Sequence, residues 1–254
     1  MAETFNRYAK HYDLIYDDKD YKSECDFIDL VLTRYSSKSA KSILEIGCGT
    51  GGHAIPLSRR GYRMTGIDLS EDMISMGKSK AISENLNVEL LNGDVRDFQI
   101  NKKFDACISM FSVLGYLTKT EDILKAFRNI RSHLDTGAIF LFDVWNGLAV
   151  LRILPEPRVK KIKRDNIKLV RTVEPTLDAV HHICWTNYKV VVTENDKIVD
   201  KFEEKHFSRF FFPQEIKFYL ESSGFEVLSI CPFLHLDSIL DENEWNMAII
   251  AKTQ

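Results

Sequence analysis

The sequence predicts an α/β fold: a parallel sheet with helices on both faces, a helical cap in front of it and a small antiparallel β insertion late in the chain. Three observations carry this expectation. Short apolar runs alternate with helical segments from Ser42 to Trp145, the pattern of strands joined by crossover helices. Beyond Trp145 the pattern becomes polar–apolar alternation, as in antiparallel strands with one wet face. The chain has 254 residues, 44% of them hydrophobic. That suits one full-sized α/β domain with an insertion and is too little for two large domains.

Residues 1–39 are expected as an N-terminal cap, helical over 3–34 and ending in the loop SSKSAKS. SILEI from Ser42 is a short buried strand, and a helix follows Gly51 and stops at Gly61. YRMTGID is the next strand; Ser70 then caps a helix whose first turn carries Glu71 and Asp72, acids that suit a helix N-terminus. NVELLNGD, KFDACISM and AIFLFDV are further strands, with the helix TEDILKAFRNIRSHL before the last. Residues 157–212 hold KLVRTVEP, HICWTNYKVVVTEN and KIVDKFEEKHFSRFFF, three or four antiparallel strands with a turn at Asn195-Asp196. Pro213 opens the helix PQEIKFYLESS, which Gly224 stops; FEVLSI and WNMAIIAK are the final strands. Residues 40–156 and 213–254 thus form one nucleotide-type core, interrupted by the insertion.

Composition excludes several classes. With 34 basic and 37 acidic residues the net charge is -3, which gives no global field for nucleic acid. No apolar run approaches the roughly 20 residues of a membrane span, and MAETFNRYAKHYD lacks the apolar region of a signal peptide. A soluble cytoplasmic protein is expected. The five cysteines are widely spaced without a C-x-x-C, so neither a disulfide framework nor a zinc site is indicated. His181 and His182 are adjacent, and on a strand they would point to opposite faces. His53 is expected on the surface. No metal is expected.

The informative stretch is ILEIGCGTGGHAIPLSRRGYRMTGIDLSED, residues 43–72. Gly47, Gly49 and Gly52 fit the dinucleotide pattern G-x-G-x-x-G, while Gly47, Gly49 and Gly51 fit G-x-G-x-G. Both are tight turns that bring backbone close to a ligand at a helix N-terminus. Glu45 separates them. A carboxylate at that strand end repels a pyrophosphate but favours S-adenosylmethionine, whose ammonium and sulfonium are cations. Asp68 at the end of the second strand can accept ribose hydroxyls of either ligand. In GDVRDF, Asp94 can accept an adenine amino group and the Val95 N–H can reach a ring nitrogen; Asp94 would equally suit a helix N-cap.

EIGCGTG, GIDLSEDM, NGDVRDF and FDACISMFSVLGYL, in this order, resemble the class I S-adenosylmethionine-dependent methyltransferases over about residues 40–145. The resemblance implies a Rossmann-like seven-stranded sheet whose last strand, WNMAIIAK, is antiparallel. It implies Glu45, Gly47, Cys48, Gly49 and Gly51 at the methionine portion of the cofactor, Asp68 on ribose, and Asp94 with Val95 on adenine. Leu69 and Met73 would flank the adenine ring and Met110 would lie near the methionine portion. S-adenosylhomocysteine would be the product.

YDLIYDDKDY, the pairing of GDVRDF with SMFSVLGYL and the late insertion resemble more closely the N-methyltransferases of nucleotide-linked amino sugars and their uncharacterised relatives. Tyr8, Tyr12 and Tyr16 share a helix face by their i, i+4 spacing, where Tyr8 suits core packing. The resemblance implies that Tyr16 positions the acceptor at the reacting centre, that Tyr12 lies beside it, and that Tyr21 binds the cofactor carboxylate. A phenol is a weak base at neutral pH, with an ordinary pKa of about 10. Tyr116 and Trp145 lie after strands at the carboxyl edge, where open α/β sheets bind ligands, and are candidate acceptor walls or loop packing. Arg209, within the aromatic run HFSRFFF, is either a substrate contact or a paired structural arginine. The basic run RVKKIKRDNIKLVR either attracts an anionic acceptor such as a sugar nucleotide or is a solvated strand face or subunit contact of a homodimer.

The expectation is therefore methyl transfer to a small-molecule acceptor, with the amine of a nucleotide-linked amino sugar leading. The alternatives are a hydroxyl, carboxylate or lipid-precursor acceptor, a nicotinamide-dependent oxidoreductase, and a cofactor-binding module without turnover.

Overall fold

The structure, a computed structural model, describes residues 7–254. The expected helix at residues 3–6 lies outside the described residues. Where one cap helix was expected there are two, α1 (Arg7–Ile15) and α2 (Tyr21–Tyr35). The break has a local cause: Asp20 N-caps α2, its Oδ1 accepting from the Ser23 N–H at 3.0 Å, a strong signal to start a new helix.

The core follows as β1 (Ser42–Ile46), α3 (Ala54–Arg59), β2 (Arg63–Asp68), α4 (Glu71–Ser83), β3 (Glu89–Asn92) and β4 (Phe104–Ser109). A 3₁₀ turn at Val113–Tyr116 leads into α5 (Thr120–Ser132), β5 (Leu134–Trp145) and α6 (Gly147–Ile153). The insertion is β6 (Arg158–Arg164), β7 (Ile167–Asp178), β8 (Ile183–Glu194) and β9 (Lys197–Arg209). The chain closes with α7 (Pro213–Glu221), β10 (Phe225–Pro232) and β11 (Asn246–Thr253). Ser70 caps α4 as expected, accepting from the Met73 N–H. Asn195 and Asp196, at φ +49° and +61°, form the β8–β9 hairpin turn that two left-handed residues favour.

Seven strands form the main sheet in the order β10-β11-β5-β4-β1-β2-β3. β1 through β5 are parallel, and β11 runs antiparallel to both β5 and β10. Apolar clusters cover both faces, so its strands are nearly continuous hydrophobic runs. β1 lies between β2 and β4, and this reversal of strand order opens a crevice at the carboxyl ends.

β6 to β9 form a separate four-stranded antiparallel meander. Helix α1 packs on this second sheet: Tyr8 and Ile15 are buried against Leu169, Val190, Val192 and Phe202. His11 adds a bond to Asp200 at 2.8 Å, and Lys160 donates to the Ile15 carbonyl at 2.8 Å. The same helix is latched to the core, where Asp13 accepts from Thr50 of the glycine turn at 2.7 Å and pairs with Lys80 at 2.6 Å. α1 therefore bridges the two sheets over the crevice.

The loop after β4 carries two strained residues, Phe111 and Ser112, at φ +70° and +55°. Asp143 of β5 holds them, accepting from the Phe111 N–H at 2.5 Å, the Ser112 N–H at 3.1 Å and the Ser112 hydroxyl at 2.9 Å. Asp143 is fully buried; burial pushes its carboxyl above the usual range, and the bonds from Ser112 and Phe111 oppose that. Asp143→Ala removes all three acceptors and leaves two left-handed residues unsupported. Urea unfolding should show a loss of at least about 2 kcal/mol; a loss below about 0.5 kcal/mol would mean the loop is held otherwise.

Candidate active site

The crevice is a cavity of about 270 Å³. Its floor is the turn after β1. The Gly47 and Cys48 N–H groups donate to the Ile67 carbonyl at 2.7 and 3.1 Å. Gly47 stands at φ +70°, and a Cβ there would meet Val113 at 2.4 Å. Gly49, at φ +52°, has nothing within 4 Å of where a Cβ would stand, so its backbone is presented bare to the cavity. Asp68 ties the turn to β2: its Oδ2 accepts from the Gly49 N–H and its Oδ1 from the Ser70 N–H, both at 2.8 Å. Burial raises the Asp68 carboxyl, against the pull of these backbone donors. Each oxygen retains a lone pair for a further donor, such as a ribose hydroxyl.

On the same side of the cavity lie Leu69, Met73, Asp94, Val95 and Met110. Asp94 holds Arg96 through a fork, Nε to Oδ1 at 2.9 Å and Nη2 to Oδ2 at 2.5 Å. Arg96 keeps its carboxyl below the usual range against the burial that would raise it. Asp94 caps no helix; it closes a turn, its carbonyl accepting from Phe98 at 2.8 Å.

Two expected cofactor residues, Glu45 and Gly51, do not line the cavity. Glu45 lies beneath the turn, 1% exposed, with Oε1 3.2 Å from His53 Nδ1. His53, expected on the surface, is buried, and its Nε2 meets Glu24 Oε2 at 2.6 Å. Lys19 also pairs with Glu24, and Tyr21 stands edge-on to the His53 ring at 5.0 Å. Burial alone would lower the His53 pKa; the bonds to Glu24 and Glu45 outweigh it and push it up to about 9. The second Glu45 oxygen, Oε2, has no partner among the described residues.

These features fit S-adenosylmethionine. The bare Gly49 backbone leaves room for an adenosyl sulfonium, Asp68 can take its ribose, and the buried Glu45 with its unpartnered oxygen favours a cation above the turn. Tyr21 and Lys19 both line the cavity and can donate to a carboxylate. A pyrophosphate would face Asp68 and Asp94, with Glu45 buried beneath the turn, against its charge.

The cavity is also lined by the expected Tyr12, Tyr16, Tyr116 and Trp145. Also lining it are residues to which the sequence assigned no site role: Tyr8, Phe111, Tyr188, His206 and Ser208. Arg171 Nη1 donates to both Tyr8 Oη at 2.7 Å and Tyr16 Oη at 3.1 Å, and the two phenols are 3.2 Å apart. Tyr8, expected to serve packing alone, is fully buried yet directs its hydroxyl into this network. Burial raises the phenols of Tyr8, Tyr12, Tyr116 and Tyr188, so all stay protonated near neutrality.

Arg209, expected as either a substrate contact or a paired structural arginine, is outside the cavity. It pairs with Glu215 at 2.5 Å and donates to Tyr219 at 3.1 Å, the salt-bridged arginine that a buried guanidinium requires. His181 and His182 lie in the β7–β8 turn, not on a strand. No cluster of metal-ligand type occurs among the described residues, and all five cysteines are free and buried. No described helix is long and apolar enough to cross a membrane.

Residues 43–137 match the methyltransferase domain family model, the span holding the glycine turn, Asp68 and Asp94. The chain superposes on an S-adenosylmethionine-dependent methyltransferase of Clostridium acetobutylicum ATCC 824 with a TM-score of 0.83 at 23% identity, covering 98% of each chain. The chain carries a methyltransferase domain over residues 43–137 and has the class I methyltransferase fold. Over 228 residues this methyltransferase is 26% identical to a Geobacillus sp. (strain WCH70) protein that bears the name methyltransferase with no stated acceptor, covering 89% of this chain and 91% of that one. Over 141 residues it is 36% identical to the dTDP-3-amino-3,4,6-trideoxy-alpha-D-glucopyranose N,N-dimethyltransferase of Streptomyces venezuelae. That match covers 54% of this chain and 57% of the relative, so the methyltransferase spans little more than half the length of its amino-sugar relative.

The His53 cluster has a pH signature. Its folded pKa of about 9 exceeds the ordinary 6.5. Protonation of His53 therefore stabilises the fold in full below about pH 6.5, and this contribution is lost as pH rises through 9. His53→Gln should lower the melting temperature most at pH 6 and least at pH 9.5. A gap that is constant across this range would show that His53 is neutral in the fold.

Proposed function

We propose that this methyltransferase moves a methyl group from S-adenosylmethionine to the amine of a nucleotide-linked amino sugar. When bound, the donor supplies a methyl on a sulfonium, a good leaving group. Asp68 then holds the ribose hydroxyls, Asp94 and the Val95 N–H hold adenine, and the Gly47–Gly49 backbone cradles the methionine portion, with Tyr21 and Lys19 at its carboxylate. Glu45 acts from beneath the turn as a buried negative charge rather than by contact.

The acceptor enters against Tyr8, Tyr12, Tyr16, Tyr116 and Tyr188. Arg171 occupies one lone pair on each of Tyr8 and Tyr16, and the bond between the two phenols uses the O–H of one of them. Tyr16 is then a positioning group. It orients the nucleophile for in-line displacement, which needs the reacting atoms about 3–3.5 Å apart. The residues 157–212 complete the acceptor pocket through Tyr188, His206 and Ser208.

The observation that carries this reading is the division of one cavity into an acidic half over the glycine turn and a phenol-lined half over the second sheet. The amino-sugar relative supports the choice of acceptor. An oxidoreductase reading is disfavoured by the carboxylates around the turn.

Labelled S-adenosylmethionine offered with dTDP-linked amino sugars, and with hydroxyl and carboxylate analogues, should transfer label to the amino sugar. Label confined to a hydroxyl or carboxylate analogue would discard the amine reading. Asp68→Ala should weaken S-adenosylmethionine binding by at least about 1 kcal/mol, roughly fivefold, in calorimetric titration. An unchanged affinity would remove Asp68 from the ribose.

A further inference from the structure

A nucleotide-linked sugar has two ends, and the crevice accounts for one. S-adenosylmethionine takes the acidic half, and the sugar that faces its sulfur takes the phenol-lined half. The nucleoside diphosphate must continue outward. Asn246, at the start of β11, lines the crevice and also a second cavity. The other residues of that second cavity are Arg158, Phe233, Glu244 and Trp245.

Backbone pairing fixes this border. Asn246 stands opposite Trp145 across β11 and β5. Its carbonyl accepts from the Phe233 N–H at 3.1 Å, and the Trp245 carbonyl accepts from the Asn146 N–H at 2.8 Å. The indoles of Trp145 and Trp245 meet edge to face, with ring centroids 5.5 Å apart. Trp145 lines the crevice and Trp245 the second cavity, so an aromatic wall runs from one into the other.

The Asn246 side chain is poised at this passage. Its Oδ1 is shielded from solvent and has no hydrogen-bond partner among the described residues. An amide oxygen left in that state costs about 1–3 kcal/mol, and a ligand that spans the two cavities can supply what is missing. A half-turn of the amide exchanges its oxygen and nitrogen, so it can accept from a hydroxyl or donate to a phosphate. Arg158 adds charge. Of the basic run in β6, Lys160 and Arg164 are engaged by Asp18 and Asp17. Arg158 is exposed, lines the second cavity and enters no salt bridge among the described residues. A guanidinium matches a phosphate with two parallel N–H bonds. Phe233 and Trp245 are half-buried and suit the stacking of a base. The exposed Glu244 carboxylate can accept from a ribose hydroxyl.

We propose that the second cavity is the subsite for the nucleoside diphosphate of the acceptor. The base lies against Trp245 and Phe233, and the phosphates lie at Arg158 and the Asn246 amide. These residues touch no reacting atom. They set specificity, by selecting an acceptor that carries a nucleotide over the free sugar.

The subsite rests on the nucleotide-linked acceptor proposed above, and its test separates the nucleotide from the amine. The probe is dTDP alone, titrated into the intact protein saturated with S-adenosylhomocysteine. It should bind and quench tryptophan fluorescence, and Trp245→Phe should remove most of that quench. Arg158→Ala should raise the Kd for dTDP about tenfold and leave S-adenosylmethionine affinity unchanged. Asn246→Leu should also weaken dTDP; if that variant does not fold, the exposed Arg158 still decides. Absence of dTDP binding, or binding that Arg158→Ala leaves unchanged, would overturn the subsite. With dTDP-3-amino-3,4,6-trideoxy-glucose as methyl acceptor, Arg158→Ala should raise KM and spare kcat. A lowered kcat at unchanged KM would also overturn it. If dTDP binds as described but the amino sugar is not methylated, the amine reading falls and the subsite stands. If the amino sugar is methylated but dTDP does not bind, the amine reading stands and the subsite falls.

Discussion

An imidazolium held between two buried carboxylates fastens the floor of this site. His53 precedes α3, Glu24 belongs to α2 and Glu45 to β1, so one ring joins three elements directly under the glycine turn. Charges so deep are costly unless they are paired, and loss of one partner would strand the others. The packing above is equally tight: a Cβ on Gly52 would meet Tyr21 at 2.4 Å. The turn therefore has one available shape, and its bare backbone at Gly49 is presented in that shape before any ligand arrives.

The second half of the cavity is built differently. It rests on α1 seated on the antiparallel sheet by Tyr8, Ile15 and Phe202, with ion pairs such as His11–Asp200 at its margin. Its chemistry comes from hydroxyls and an imidazole in place of backbone. Asp13 joins the halves by holding both Thr50 and Lys80. A rigid donor floor and a modular acceptor wall allow one fold to keep its methyl donor while the acceptor varies, since function resides in sites placed on a fold.

Most of the architecture was legible because it depends on short-range signals. Strand and helix boundaries from Ser42 to Trp145 followed from apolar runs, Ser70 and the glycines, and Pro213 and Gly224 bounded α7. The donor half followed from motifs that are contiguous in sequence. His53 was misplaced because its partner Glu24 is remote, and pairing across that distance leaves no local trace. Arg209 was ambiguous for a different reason: its partner Glu215 is near in sequence, but only the fold shows that it turns from the cavity. The acceptor wall was the least legible, with one readable signal. On β9 the buried or part-buried positions Phe202, Glu204, His206 and Ser208 alternate with exposed ones, so an inward acid and an inward histidine stood two residues apart.

The central claim is that donor and acceptor meet at the seam between the two halves. A crystal structure of the protein with S-adenosylhomocysteine and a dTDP-linked amino sugar tests this most directly. The account predicts adenosine against Asp68 and Asp94, and the sugar nitrogen within hydrogen-bond reach of Tyr116 or Tyr16, facing the sulfur. A sugar bound outside the phenol-lined half, or a nitrogen turned away from the sulfur, would contradict it.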